Sequence, residues 1–197
     1  CQDDGRTFRI MRSSQMASWS EAALESYLED LGQAEGAGRN LLTEKYARMM
    51  QSTWPEEYAR IERLLPEVDP RALELAGAIL AVVLKWENEL LERYPRIVKR
   101  GRPISSAEDS PGVTSLETYL RGELATYSVR TLELCLAHFR QQKRKAMPKV
   151  IAISWKGGTA PVEEVKSAKV AQRRTAMAPI IVARRVADWR LAPRAVS

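Results

Sequence analysis

Hydrophobic residues recur at helical spacing up to residue 142, and this spacing predicts a series of helices. The first is predicted to begin at Glu21, where Ser18 or Ser20 can cap its free backbone N–H groups. A second is predicted over residues 40–51. A third is expected to begin at Pro55, since proline is favoured in the first turn of a helix, and to stop before Pro66.

The fourth predicted helix is the most apolar segment of the chain. Asp69 can cap it, Pro70 can open it, and Pro95 limits it at about Tyr94. Its length and composition indicate a central helix of the fold. We expect one stripe of this helix to face the core: Leu73, Gly77, Leu80, Leu84, Leu91 and Tyr94.

A fifth helix is predicted from about Ser115 to Lys143, after a polar loop over residues 100–114. It is long enough to lie antiparallel along the fourth helix, with the shorter helices packed against the pair. The predicted fold is therefore all-α: a compact bundle of about five helices with two long central ones.

Both ends of the chain differ in character from this bundle. Residues 1–15 show no periodicity and are predicted to be a disordered extension, which leaves residues 16–145 as the helical domain. Residues 146–197 hold two short apolar runs without lasting alternation, and we expect a weakly ordered basic tail. Cys1 fits a lipid-modified terminus, or Met16 is the initiator; the tail composition also resembles a shifted reading frame of GC-rich DNA.

The basic charge of the chain belongs to the tail. Residues 143–197 hold 13 Lys and Arg side chains and three acids, which gives them a net charge of +10. Because the whole chain has a net charge of +6, residues 1–142 carry −4. Binding of nucleic acid is therefore not expected of the helical domain. It remains an alternative for the tail, where Trp155 and Trp189 could stack on bases.

Several other classes of protein are disfavoured. No apolar run reaches the ~18 residues of a membrane helix, and no signal peptide is visible. Cys1 and Cys135 do not form a disulfide framework, so the cytoplasm is the predicted location. His138 is the single histidine and lacks a Glu-x-x-His setting, so no metal site is predicted. No motif identifies a cofactor.

Candidate chemistry lies on the two long predicted helices. Glu87 falls within the apolar stripe of the fourth, and Tyr119, Glu123 and Tyr127 follow one another at i, i+4 and i+8 on the fifth. A buried carboxylate needs a partner or a raised pKa. We expect a site between these helices that takes a cation or an amine, or supports acid/base chemistry.

Arginines could complete this site or neutralise it. Arg121 or Arg48 is the predicted clamp for a ligand carboxylate or phosphate. In the alternative interpretation Arg48, Arg102 or Arg121 pairs with each carboxylate and fixes helix packing. The cationic loop 99–103 could likewise hold an anionic ligand or be a solvated connection.

Several blocks of sequence resemble a bacterial family catalogued as domain of unknown function 4125. The resemblance covers residues 18–140. It is carried by NLLTEKYARMM at 40–50, PEEY at 55–58, WE at 86–87, YP at 94–95, ED at 108–109, TSLETYLRGEL at 114–124 and TYS at 126–128. It implies that residues 16–140 are a natural folded unit from which the tail departs, and it carries no activity across.

Three functions are consistent with these observations. The first is a small-molecule binding domain or enzyme that uses Glu87, Glu123, Tyr119 and Tyr127 with a nearby arginine. The second is a structural or regulatory helical module, for which a homodimer with an apolar face is expected. The third is nucleic-acid binding through the tail.

Overall fold

The computed structural model describes residues 5–99 and 101–144, and the regular structure of these residues is helical. Short 3-10 turns lie at Glu62–Leu64 and Ser106–Glu108. The predicted all-α bundle is confirmed, whereas the tail over residues 146–197 lies outside the described residues. The helices are α1 (Gly5–Met16), α2 (Glu21–Gly36), α3 (Leu41–Thr53), α4 (Pro55–Ile61), α5 (Pro70–Arg93), α6 (Pro95–Val98), α7 (Leu116–Leu124) and α8 (Val129–Arg144).

Side-chain caps fix where four of these helices begin. Ser20, Asn40, Asp69 and Ser115 each accept a hydrogen bond from a backbone N–H in the first turn of α2, α3, α5 and α7. These N–H groups have no partner within the helix, so each cap stabilises its helix by about 1 kcal/mol. The starts of the central helices were therefore readable from the sequence.

The core lies where α5 and α2 pack on α8 and where α3 packs on α7. Its fully buried side chains include Leu24, Leu31, Ile79 and Leu132. The α7 helix also packs on α5, so it lies between the α3 side and the α5–α8 side of the bundle. This position brings the polar side chains of α7 into the interior.

The predicted continuous helix over residues 115–143 is wrong, because α7 ends at Leu124 and α8 begins at Val129. Thr126 and Ser128 donate or accept local hydrogen bonds that compete with a continuous helix: Thr126 Oγ1 donates to the carbonyl of Glu123, 2.7 Å away. The backbone N–H of Ser128 donates to Asp30 of α2 at 3.0 Å. Tertiary contacts thus stabilise the break, and α8, with 16 residues, is the second helix that packs along the 24-residue α5.

Residues 5–16 form a helix where the sequence predicted a disordered extension. The described side chains near its start (Arg6, Arg9 and Ile10) are exposed, whereas Met16 at its end is fully buried. This segment is mostly polar and holds four large apolar residues among twelve, so hydrophobic periodicity did not predict a helix here.

The buried face of α5 also differs from the prediction. Leu73 and Tyr94 are exposed, with 54% and 52% of their surfaces accessible, and Gly77 is exposed as well. The helix is apolar on most sides between residues 75 and 84, so periodicity alone did not select the face that α7 and α8 cover. The face that is buried consists of Ala72, Leu75, Ala76, Ile79, Leu80, Val83, Trp86 and Glu87.

The closest approach of α3 and α7 depends on Gly122. A Cβ atom at this position would lie 2.9 Å from the carbonyl oxygen of Lys45 and 3.0 Å from Cγ of Met49. Only a residue without a side chain permits this spacing.

We expect Gly122→Ala to lower the free energy of unfolding by about 1–3 kcal/mol, because it forces the two helices apart. Gly77→Ala is the matched control: it is helical, its Cβ would meet nothing within 4 Å, and it should gain about 0.5–1 kcal/mol. Urea unfolding followed by circular dichroism measures both. Equal stability of the two variants would contradict the close packing.

Candidate functional site

A buried carboxylate on α7 is the centre of a polar cluster in the described interior. Glu123 is 2% exposed and has four side-chain partners. Its Oε2 accepts a hydrogen bond from Lys45 Nζ at 2.7 Å. Its Oε1 accepts from Tyr127 Oη at 2.7 Å, from Gln15 Nε2 at 3.3 Å and from the Arg12 guanidinium. Helices α1, α3 and α7 and the turn after α7 therefore meet at one side chain.

Arg12 connects α1 to the rest of this cluster. Besides its ion pair with Glu123, it donates to Gln15 Oε1 at 3.0 Å through Nη1 and to Tyr27 Oη at 3.0 Å through Nη2. Three N–H groups of the guanidinium thus meet acceptors, which offsets much of the cost of burying its charge.

Three aromatic rings pack on one another beside this cluster. The ring centroids of Trp19 and Tyr27 lie 5.7 Å apart, those of Trp19 and Tyr127 also 5.7 Å, and those of Tyr27 and Tyr127 4.7 Å. All three residues are buried. We call Trp19, Tyr27 and Tyr127 the aromatic triad. Tilted and edge-on pairs at these distances are favourable, so the triad fixes the hydroxyls of Tyr127 and Tyr27 beside Glu123 and Arg12.

Burial and charge act in opposite directions on Glu123. Burial by itself would raise its pKa, but Arg12 and Lys45 overcome this effect and hold the pKa of Glu123 well below its usual range. Burial lowers the pKa of Lys45, and attraction to Glu123 offsets part of that change. The carboxylate is therefore ionised near neutral pH.

Tyr119 brings a third cation to the cluster. Lys45 Nζ lies 3.3 Å from the centroid of its ring, and Cζ of Arg102 lies 4.6 Å from the same centroid. Both distances are within the range of a cation–π interaction. Burial raises the pKa of Tyr119 to about 12, so its hydroxyl stays protonated and can donate a hydrogen bond.

Asp109 determines where the loop that carries Arg102 lies. Its carboxylate accepts hydrogen bonds from Ser52 Oγ at 2.5 Å, from Thr118 Oγ1 at 2.5 Å and from the backbone N–H of Ser115 at 2.6 Å. These contacts tie the loop to α3 and to the start of α7, and they keep Arg102 beside Tyr119.

The structure brings some of the predicted site residues together and separates others. Glu123 and Tyr127 are in direct contact, and Tyr119 shares Lys45 with Glu123. Arg121 instead faces solvent and pairs with Glu117 of its own helix at 2.6 Å.

Arg48 also lies away from this cluster. Its Nη2 donates to the carbonyl of Pro66 at 2.5 Å, and its Nε is buried with no hydrogen-bond partner among the described residues.

Glu87 is the buried carboxylate of α5, and unlike Glu123 it has no cation beside it in the described part of the chain. It is 8% exposed, and no hydrogen bond or ion pair to its side chain is found within residues 5–99 and 101–144. Burial raises the pKa of Glu87 to about 7. Glu87 is therefore half-protonated near neutral pH and is separate from the Glu123 cluster.

The sequence did not point to Lys45, Arg12, Gln15 or Tyr27. Lys45 carried a signal, since it lies four residues after buried Leu41 and four before buried Met49. A lysine on an apolar face indicates a buried acid. Arg12 carried none, because α1 was not predicted, and a chain beginning at Met16 would lack it.

The described part of the chain offers neither a cluster of metal ligands nor a membrane-spanning helix. Among these residues there is no group of three or more His, Cys, Asp or Glu side chains that could hold a metal ion. Nor does this part of the chain include a helix that is both long enough and apolar enough to cross a membrane.

These features define a class: an all-helical domain whose interior is organised by a carboxylate with two buried cationic partners. More particularly, the chain belongs to the family described as "Protein of unknown function (DUF4125)", which matches residues 1–154. The match includes α1, beyond the resemblance over residues 18–140. No curated protein and no solved structure matches the chain.

Removal of the negative charge from Glu123 should be strongly destabilising. Glu123→Gln leaves Lys45 and Arg12 buried without a counter-charge, and we expect a loss of about 3–5 kcal/mol in the free energy of unfolding. The control Glu29→Gln breaks an exposed pair with Arg130 and should cost less than about 1 kcal/mol. Chemical denaturation distinguishes the two, and a loss at Glu123 no larger than at Glu29 would refute the central role of the carboxylate.

Glu87 should make stability depend on pH in the opposite sense to a paired acid. Its folded pKa lies above the unfolded value of about 4.3, so ionisation penalises the fold increasingly from about pH 4 to pH 7 and fully above it. We expect Glu87→Gln to be more stable than the wild type at pH 8 by on the order of 1 kcal/mol, after allowance for partial solvation, and equal to it near pH 4. Urea unfolding across this range tests the prediction, with Glu92→Gln, the same change at an exposed position of the same helix, as the matched control.

Proposed function

We propose that the helical domain binds a small acidic molecule, one bearing a carboxylate or a phosphate, beside Tyr119 and Arg102. The observation that carries this proposal is an excess of positive charge. Arg12, Lys45 and Arg102 surround the Glu123–Tyr119 region, and Glu123 provides one negative charge against them. An anionic ligand would balance the remainder.

In this proposal Glu123 has a different role from the one predicted for it, whereas Tyr119 contacts the ligand. Both oxygens of Glu123 already accept hydrogen bonds, so for the acidic molecule we assign it a positioning role for Lys45 and Arg12 rather than a direct contact. Tyr119 is half-buried, and its hydroxyl makes no hydrogen bond within the described residues. A protonated phenol next to an exposed arginine is a suitable pair of donors for an acid group.

The proposal predicts a ligand-dependent rise in thermal stability. The full chain is screened by thermal shift against carboxylic acids, phosphates, nucleotides, amino acids and metal ions. An acid at ~100 times its dissociation constant should stabilise the fold by about 2.7 kcal/mol, or roughly 5–10 °C for a domain of this size.

Two matched pairs of variants locate the effect. Tyr119→Phe removes one hydroxyl and Arg102→Ala removes one cation. Each should raise the dissociation constant of the acid at least tenfold and so reduce the thermal shift at a given acid concentration. Tyr94→Phe and Arg130→Ala make the same changes at exposed positions and should leave it unchanged. A response that Tyr119→Phe and Arg102→Ala do not alter would place the ligand elsewhere, and no response to any acid would reject the proposal.

A structural or regulatory module is the second candidate, and the saturation of Glu123 by four partners favours it. A network without spare hydrogen-bonding capacity fixes helix positions without needing a ligand. The absence of a thermal shift with every compound of the screen, together with a stable homodimer in sedimentation equilibrium, would support this candidate.

Nucleic-acid binding through the tail concerns residues that lie outside the described part of the chain. It stays a prediction from charge. The logarithm of the binding constant should fall steeply with the logarithm of salt concentration if the tail contacts phosphates.

A further inference from the structure

We propose that Glu123 and the Tyr27 hydroxyl of the aromatic triad form a binding site for a guanidinium or similar cationic nitrogen group. Arg12 of α1 occupies this site as an internal ligand. This site is distinct from the anion site proposed at Tyr119 and Arg102. A ligand of this class would enter by displacing Arg12.

The contacts of Arg12 are those of a bound guanidinium. One nitrogen faces a carboxylate and an amide oxygen, and another faces the Tyr27 hydroxyl at 3.0 Å. The Tyr27 ring that carries this hydroxyl packs against Trp19 and Tyr127, which fixes the direction of the hydroxyl. A carboxylate and an oriented phenol oxygen therefore provide charge and direction at one point.

Charge balance allows Arg12 to leave. Without Arg12, Glu123 would keep its ion pair with Lys45 at 2.7 Å and its hydrogen bond from Tyr127. Glu123 and Lys45 would still neutralise each other, so neither would become an unpaired buried charge. Lys45 is 3% exposed and fixed, whereas the Arg12 side chain is 14% exposed, so solvent reaches the site on the Arg12 side.

The position of α1 is suited to such an exchange. Arg6, Arg9 and Ile10 near its start are exposed, while Met16 at its end is fully buried. The turn over residues 17–20 then leads into α2 and includes buried Trp19. Movement of α1 about this anchored end would withdraw Arg12 and leave the triad in place.

Chemical rescue of Arg12→Ala tests the site directly. The substitution removes the internal ligand from the full chain, and methylguanidinium, methylammonium and urea are then added separately at equal millimolar concentration. Methylguanidinium should raise the thermal midpoint of Arg12→Ala by about 3 °C or more at ten times its dissociation constant. Urea has nearly the same planar shape without the charge and should not raise it.

Two controls make the rescue specific. The wild type holds Arg12 in the site, so methylguanidinium should not raise its midpoint. The exposed variant Arg130→Ala removes an arginine that pairs with Glu29 at 2.9 Å, and it should show no rescue. If methylguanidinium raises the midpoint of Arg12→Ala no more than urea does, Arg12 is a structural tether and the proposal is wrong.

A measurement on the wild type covers the case in which Arg12→Ala does not fold. Methylguanidinium that competes with Arg12 should speed hydrogen exchange of the α1 amides at least threefold relative to those of α5, and urea at the same concentration should not. Equal exchange with both compounds would overturn the proposal. Since the probe is a cation and no acid is present, this result is independent of the acid screen, and either proposal can fail alone.

Discussion

The burial of the Glu123 charge is the constraint on which the arrangement of the helices depends. A carboxylate that is 2% exposed is unfavourable inside a protein unless it is paired and hydrogen-bonded. Lys45 of α3 and Arg12 of α1 provide the counter-charges, and Tyr127 provides a hydrogen bond from the turn between α7 and α8. Because each partner belongs to a different element, this one requirement fixes α1, α3 and α7 relative to one another. The absence of a side chain at Gly122 then allows α3 and α7 to approach closely enough for the Lys45–Glu123 pair.

The two buried glutamates show how surroundings decide the chemistry of one residue type. Glu123 is the more buried, yet two cations hold its pKa well below the usual range. Glu87 has no such partner in the described chain, and burial raises its pKa to about 7. The first is therefore a permanent charge that organises neighbouring side chains, and the second is a group that titrates near neutral pH. A reading of both as one pair of carboxylates between two long helices does not describe this arrangement, since no hydrogen bond joins Glu87 to the Glu123 cluster within the described residues.

Much of the polar interior serves to place other polar groups. Asp109 holds the loop of Arg102 against α3 and α7, and Glu123 holds Lys45 against the ring of Tyr119. Such networks cost desolvation energy, which a purely apolar core would avoid, and their frequent benefit is a defined geometry. Here that geometry places cations and a protonated phenol near the surface at Tyr119, and it places the Arg12 guanidinium against Glu123 and the Tyr27 hydroxyl. Both proposed binding sites follow from the same set of contacts. The anion site follows from the surplus of positive charge near Tyr119, and the cation site is the one that Arg12 occupies.

The sequence by itself determined the helical class, the caps at Ser20, Asp69 and Ser115, and the burial of Glu87 and Glu123, because these follow from local periodicity and from backbone groups near the helix ends. It also placed Tyr127 beside Glu123, since a spacing of four residues brought the two side chains together across the helix end. The tertiary structure decided the break between α7 and α8, the buried face of α5, the helical state of residues 5–16 and the partners of Glu123. Arg12 and Lys45 lie 111 and 78 residues from Glu123 in the chain, and no periodic pattern specifies a contact at that separation. The physical reason is that a buried charge requires a counter-charge but does not specify which one, and only the packing of the helices selects it.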